Sequence, residues 1–456
     1  LIHSCEFQGK TIKFYNDNVV DGRNIFTTIV GKNGSGKSRL LRHLITTCIN
    51  LYKQAGVPVT LLESINASQE IPSNIIALST SPFDRFPIGN MIGGAREDAS
   101  LLNDVQGYYY YHGLRGLYSS NLSISFMTRI IGGVIKALTS DNGRLGTVLD
   151  VLDYLGYHKN IRARFICGIT SSMLTQLAFS EDFMGDREKL YNRGGADLKR
   201  VIGRLEEMPN SYRVAVFDAI KNYVGDLHKG GIEVSISVDG TLNAMTNCPI
   251  EGNFALLMES GVLRLRDLVL HKKNLEKGFR ISDASSGEQC VLLAMLGIAS
   301  RITDGSLICI DEPEICLHPE WQERYIKLLI STFREFKSCH FIIATHSPQI
   351  ISRLEDVNCF ILDLQHNLVM NAGDYSRRSA DFQLAHVFGA PGYKNEYLMR
   401  ELLAVIGKLS AGLEMAEDKK EMFRRLVALK PVLEPSDPVY QLTQLLEEAL
   451  GDTGDE

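Results

Sequence analysis

The chain has 456 residues, 45% hydrophobic and 22% charged, with a formal net charge of −6. That length suits two or three structural units with a sizeable core, and the mild acidity does not mark a nucleic-acid binder, although a local basic patch is compatible with it. Nine cysteines stand singly, with no CxxC pair and no Cys/His cluster at zinc spacing, so a metal centre of that kind is not expected and the thiols suit a reducing cytosol.

No stretch reaches the roughly 20 apolar residues that cross a bilayer, and no signal-peptide pattern opens the chain. Residues ahead of Leu1 are expected to be missing. The expectation is a soluble, cytoplasmic protein with no membrane partner.

In chain order, "TIKFY" and the β-branched run "NIFTTIV" predict strands within residues 1–30. Residues 38–55 carry apolar positions at helical spacing, and "NIIALST" at 74–80 predicts a short buried strand before the turn-rich "SPFDRFP". From about 90 to 230 the pattern is mainly helical, as in "SISFMTRIIGGVIKALT" at 123–139. Strands return with "IEVSISV" at 232–238 and "VLRLRDLVL" at 262–270. A helix over Glu288–Arg301, a strand over Leu307–Ile310, a helix over Glu320–Phe336 and a strand over His340–Ala344 then predict an α/β core with parallel strands. Residues 376–456 are mostly helical.

"GKNGSGKS", Gly31 to Ser38, matches the phosphate-binding loop pattern G-x-x-x-x-G-K-[ST], between a hydrophobic strand and an amphipathic helix. Glycines let the backbone bend and aim its N–H groups at phosphate oxygens, and the helix N-terminus adds partial positive charge. The candidate ATP contacts are Gly31, Asn33, Gly34, Ser35, Gly36, Lys37, Ser38 and Arg39, with Lys37 reaching the β- and γ-phosphates and Ser38 a ligand of Mg²⁺. "LICIDEPE", Leu307 to Glu314, is a buried strand that ends on two carboxylates. Asp311 is the expected Mg²⁺ partner, and Glu312 the expected catalytic group that positions the attacking water. Glu314 has no assigned role, and His318 reads as part of a helix entry with Pro319 in the first turn. "FIIATHSP" closes the next strand on His346, the second catalytic candidate, placed to hydrogen-bond a γ-phosphate.

Together these elements resemble the ABC-type ATPase heads of the SMC, Rad50, RecF and OLD group. The order is the same: phosphate loop at 31–38, signature "ASSGE" at 284–288, Asp-Glu strand at 307–312, histidine at 346. The resemblance implies an α/β P-loop ABC-ATPase head, a mixed-sheet core flanked by helices. The expected units are residues 1–90 (N-terminal lobe), 91–254 (mainly helical insertion), 255–375 (C-terminal lobe) and 376–456 (helical C-terminal extension). It also implies ATP and Mg²⁺, and a homodimer of heads or a higher homo-oligomer built from it. In such a dimer Ser285, Ser286, Gly287 and Glu288 of one copy complete the ATP site of the other. Ala284 replaces the family's leucine and Ser286 its first glycine. The family's Q-loop glutamine is absent from "STSPFDRF", which leaves Thr80, Ser81 and Asp84 as candidates for its place.

"STSPFDRF", "DEPEICLHP" and "ATHSP" are most similar to PtuA-type ATPases of Septu anti-phage systems, also found beside some retrons. This implies an ATPase that regulates an HNH nuclease partner of the PtuB type, because the chain itself shows neither a Toprim Asp-x-Asp strand nor an H-N-H constellation. The alternative is a RecF- or Rad50-like ATPase of DNA maintenance, with DNA as partner. The lack of heptads argues against a Rad50-type tether, and a transporter subunit would lack so long an insertion. "GYYYYHGLRG" at 107–116 fits a strand with one buried face better than a base-stacking platform. The basic stretches near 187–200 and 266–277 read as solvated faces. The C-terminal helices carry apolar stripes suited to packing on a partner or on their own head.

Overall fold

The computed structural model describes residues 1–55, 71–88, 105, 107–115, 127–128, 130–135, 144–180, 182–227, 232–237, 242–244, 252–274, 278–355, 357–411, 420, 423–424, 426–427 and 430–451. Strands β1 (Ser4–Phe7) and β2 (Lys10–Lys13) pair as an antiparallel hairpin. A seven-stranded sheet is built from β3 (Ile25–Val30), β4 (Ile75–Ser79), β5 (Tyr109–His112), β11 (Leu307–Asp311), β12 (His340–Ala344), β13 (Cys359–Asp363) and β14 (Leu368–Asn371). Its order is β14-β13-β3-β12-β11-β4-β5. Every pairing is parallel except β13 with β14.

Strands β3, β4, β11 and β12 are buried along their whole length. Parallel strands covered on both faces require near-continuous apolar runs, which "IFTTIV", "IIALS", "LICID" and "HFIIA" supply. Thr27, one of their few polar groups, is paired. The Thr27 hydroxyl donates to the Phe14 carbonyl at 2.9 Å and lies 3.0 Å from His340 Nε2. Burial holds the His340 pKa down to about 3.

On one face, Leu40, Leu41, Leu44 and Ile45 of the helix Lys37–Ala55 pack with Ile29, Ile75, Cys309 and Ile342. On the other, the helices Ser286–Ala299 and Pro319–Thr332 bring Leu292, Met295, Ile326 and Leu329 against Ile76, Ile310 and Phe341. The fold is therefore α/β, a parallel-dominated sheet flanked by helices, as expected.

A second, wholly antiparallel sheet holds β6 (Ile161–Ile166), β7 (Ile232–Ile236), β8 (Leu242–Ala244), β9 (Arg264–Leu270) and β10 (Phe279–Arg280), in the order β10-β9-β6-β7-β8. Its Phe165, Val234 and Leu268 join the same core as the helix Ser286–Ala299. This pairing cuts across the boundaries expected at residues 90 and 254. Strand β5 lies past residue 90 yet is the edge of the main sheet, and β9 lies past residue 254 yet pairs with β6 of the insertion, with β10 on its other side. Periodicity within a segment reports which face is buried but not which distant strand it pairs with.

The helix expected over 123–139 is helical at 127–128 and 130–135, and its remaining residues lie outside those described. At the C-terminal end, helices Ala380–His386, Glu396–Ser410 and Pro438–Gly451 form a small core of their own, with Leu398, Leu402, Leu433, Val439 and Leu446 buried in it. No helix among the described residues is long and apolar enough to cross a membrane.

Candidate nucleotide site

The phosphate loop leaves the C-terminal end of β3 and turns into the helix Lys37–Ala55. Gly31 adopts φ 152°, and a Cβ there would sit 2.9 Å from Ser35 Oγ, so no side chain fits the turn. Lys37 is buried, and its ammonium donates to the Gly31 carbonyl at 3.0 Å and to His346 Nε2 at 2.6 Å. An ammonium has no lone pair to offer, so Nε2 is the acceptor and the imidazole proton stands on Nδ1. Burial, with the Lys37 charge beside it, lowers the His346 pKa to about 4 and keeps the ring neutral. Burial also lowers the Lys37 pKa, against the pull of Glu312, Asp311 and Glu314.

Parallel pairing in register, Asp311 opposite Ala344, brings the ends of β11 and β12 side by side. Ser38 Oγ donates to Asp311 Oδ1 at 3.1 Å. Burial pushes the Asp311 pKa up to about 7, and Glu312, Asp84 and Glu314 add to the rise against the Ser38 hydrogen bond. Glu312 stands in the left-handed region at φ 49°, its N–H bonded to the Ala344 carbonyl at 2.9 Å, and Oε1 lies 3.7 Å from His346 Nε2. A non-glycine residue in that conformation costs on the order of 1 kcal/mol, a strain that clusters at functional sites. Strand ends thus bring Lys37, Ser38, Asp311, Glu312 and His346 together from three separate segments.

The fit to Mg²⁺ rests on the adjacent Ser38 hydroxyl and Asp311 carboxylate, a hard-oxygen donor pair beside the loop. Among the described residues no group of three His, Cys, Asp or Glu side chains forms a metal cluster. Asn33, Gly34 and Arg39 are exposed, Ser35, Gly36 and Ser38 half-buried, and Arg39 lies 3.4 Å from the Gly34 carbonyl.

The signature residues start another helix. Ser285 caps it, its Oγ accepting the Glu288 N–H at 3.2 Å. Ser285 and Ser286 are exposed and Gly287 is buried near Trp321 and the Cys316 carbonyl. The Glu288 carboxylate takes the Tyr157 hydroxyl and an ion pair from Lys272 at 2.6 Å. Among the described residues no hydrogen bond or ion pair joins residues 285–288 to residues 31–39 of the same chain. In the segment where the glutamine is absent, Thr80, Ser81 and Asp84 are all buried. Asp84 accepts from Tyr111 Oη at 2.7 Å and the Phe86 N–H at 3.1 Å, and pairs with Arg115 at 3.3 Å. Its carboxylate ties its own loop to β5 and Arg115, and Tyr111 belongs to the tyrosine run on β5.

Sequence reasoning did not find Tyr157 and Lys272, which hold Glu288, or the contact of Glu314 Oε1 with the His346 N–H at 2.5 Å. The second acid of "DEPE" was the available signal, since an acid just past a buried strand end needs a donor. His318 stands, as expected, at the entry of the helix that begins at Pro319.

Residues 176–352 match a family model described as "AAA domain, putative AbiEii toxin, Type IV TA system". The matched part contains residues 285–288, 311–312 and 346 and begins after the phosphate loop. The chain is also similar to a "Retron Ec83 probable ATPase" of Escherichia coli, 34% identical over 107 residues. That similarity spans 21% of this chain and only 19% of the retron protein. Structural comparison pairs the chain with a Smc head domain from Pyrococcus furiosus, with an extended coiled coil and bound to the C-terminal domain of ScpA. The identity is 12%, covering 78% of this chain and 92% of that one, and the TM-score of 0.28 is too low to support an argument.

Proposed function

We propose that this ATPase closes around ATP as a dimer of heads, each copy supplying residues 285–288 to the other, and regulates an HNH nuclease in anti-phage defence as PtuA-type ATPases do. The reading is carried by the convergence of Lys37, Ser38, Asp311, Glu312 and His346 at the C-terminal ends of β3, β11 and β12, where parallel α/β sheets take their ligands. The similarity to a retron ATPase supports the defence context. Exposed Ser285 and Ser286, with no bond to their own phosphate loop, support completion of the site by a second copy.

The residues divide the work as follows. Loop N–H groups and the helix start hold the phosphates, and the Lys37 ammonium moves from Gly31 and His346 to the β- and γ-phosphate oxygens. Its departure frees His346 Nε2, which takes up the ring proton from Nδ1 and donates to the γ-phosphate. Glu312, beside that nitrogen, orients the attacking water and accepts its proton. Ser38 and Asp311 would hold Mg²⁺, whose chemistry is to neutralise phosphate charge.

The test is ATP hydrolysis by the purified protein, with and without an HNH nuclease partner. Wild type is expected to hydrolyse ATP, and Lys37→Ala to neither bind nor hydrolyse it and to uncouple the nuclease from nucleotide. Normal hydrolysis by Lys37→Ala would overturn the site. Salt-dependent binding of duplex DNA by the isolated protein, with no effect on any nuclease, would favour the DNA-maintenance alternative.

A further inference from the structure

We propose that Glu314 is a positioning residue for hydrolysis: its buried carboxylate holds the backbone that carries His346, and so sets where the imidazole stands. This rests on the ATPase reading above. The pairing of β12 with β11 and β3 ends at Ala344, and the next N–H, of Thr345, still reaches the Ile29 carbonyl at 3.1 Å. The His346 N–H is one residue beyond the ladder, and it donates to Glu314 Oε1 at 2.5 Å. A buried backbone N–H must find an acceptor, and a carboxylate is a strong one.

The flanking residues are tied to one another. The Thr345 hydroxyl accepts the Ser347 N–H at 3.0 Å. Ser347 Oγ in turn donates to Gln322 Oε1 at 2.7 Å on the helix Pro319–Thr332. The carboxylate therefore holds the backbone at His346, and the loop presents His346 Nε2 to Lys37 at 2.6 Å and to Glu312 at 3.7 Å. Glu314 itself is fixed by the short 3-10 turn Pro313–Cys316 that follows Glu312, so the catalytic acid and the support of the histidine lie on one turn. Burial raises the Glu314 pKa while the donors oppose it, which is the pattern of an acid kept inside for its bonds.

The test compares Glu314→Ala, Glu314→Gln, His346→Ala and the double variant Glu314→Ala/His346→Ala in kcat and in affinity for a fluorescent ATP analogue. If Glu314 acts through His346, Glu314→Ala lowers kcat about tenfold or more with affinity changed less than about twofold, and adds little to His346→Ala. Glu314→Gln, whose amide oxygen still accepts the N–H, is expected to restore most of kcat. Losses that multiply in the double variant, or affinity that falls in step with kcat, would overturn the proposal. If Glu314→Ala does not fold, Glu314→Met replaces it, of similar length and with only a weak sulfur acceptor in place of the carboxylate. A readout independent of turnover separates this from the ATPase reading. In protein labelled at histidine Cε1, the ring signal that His346→Ala removes should shift in Glu314→Ala and stay near its place in Glu314→Gln. An unmoved signal overturns the positioning role even if hydrolysis is normal, whereas a shifted signal in a protein without ATPase activity overturns only the function.

Discussion

Lys37, Glu312 and His346 form a contact set in which a cation, an acid and a neutral imidazole share one small space. The ring stays neutral at ordinary pH because burial penalises its charged form and protonating it would place a second positive charge against Lys37. In the proposed function Glu312 acts on water, so Glu312→Gln is expected to retain ATP and slow turnover by roughly 10²-fold or more. Single-turnover kinetics check this, and an unchanged rate would remove Glu312 from the chemistry. Asp311 gives a pH prediction with a definite sign. Its pKa, pushed up to about 7, means that a proton must leave before the carboxylate can hold Mg²⁺. Mg²⁺ affinity should therefore rise about tenfold per unit as pH climbs toward 7 and level off above it. Titration of Mg²⁺ into the nucleotide complex measures this, and Asp311→Asn should abolish the slope.

At the scale of elements, the central strands place the site because they are locked by packing on both faces. Phe341 on β12 stacks on Phe26 of β3 at 4.6 Å and on Phe333 at 6.0 Å, under the loop that carries His346. Phe341→Ala should cost about 3–5 kcal/mol, read by chemical denaturation. A loss below about 1 kcal/mol would mean that this layer does not anchor the strand. The second sheet meets the signature helix through Tyr157 and Lys272 on Glu288, with Phe279 stacked on Tyr157 at 5.8 Å. The apolar runs of β3, β4, β11 and β12 were legible in the sequence because parallel buried strands need them. The antiparallel sheet was only partly legible. Its strands come from segments between residues 161 and 280, and β6 lay hidden in a region that read as helical.

For the whole molecule, the arrangement leaves residues 285–288 exposed in part and unconnected to their own phosphate loop. If two copies share each site, mixing Lys37→Ala with Ser285→Arg protein should restore activity. Each hybrid dimer gathers both defects at one interface and leaves the other intact. The mixture should exceed either variant alone, and no rescue, with hybrids demonstrated by differential tagging, would count against sharing. The C-terminal helices, expected to pack on a partner or on the head, share a core of their own, and Leu403 and Leu445 remain exposed on them.

The sequence by itself determined the phosphate loop, the Asp-Glu strand and the histidine, because each is a local pattern. Glycine at a tight turn, an apolar run ending in acids and a helix start are all demands made by neighbouring residues on one another. Only the tertiary structure decided that Glu314 supports His346, 32 residues away, and that Tyr157 holds Glu288, 131 residues away. Those bonds answer to burial, which leaves a backbone N–H or a carboxylate without water and obliges it to find whichever partner the packed sheets bring near. No spacing along the chain encodes that meeting.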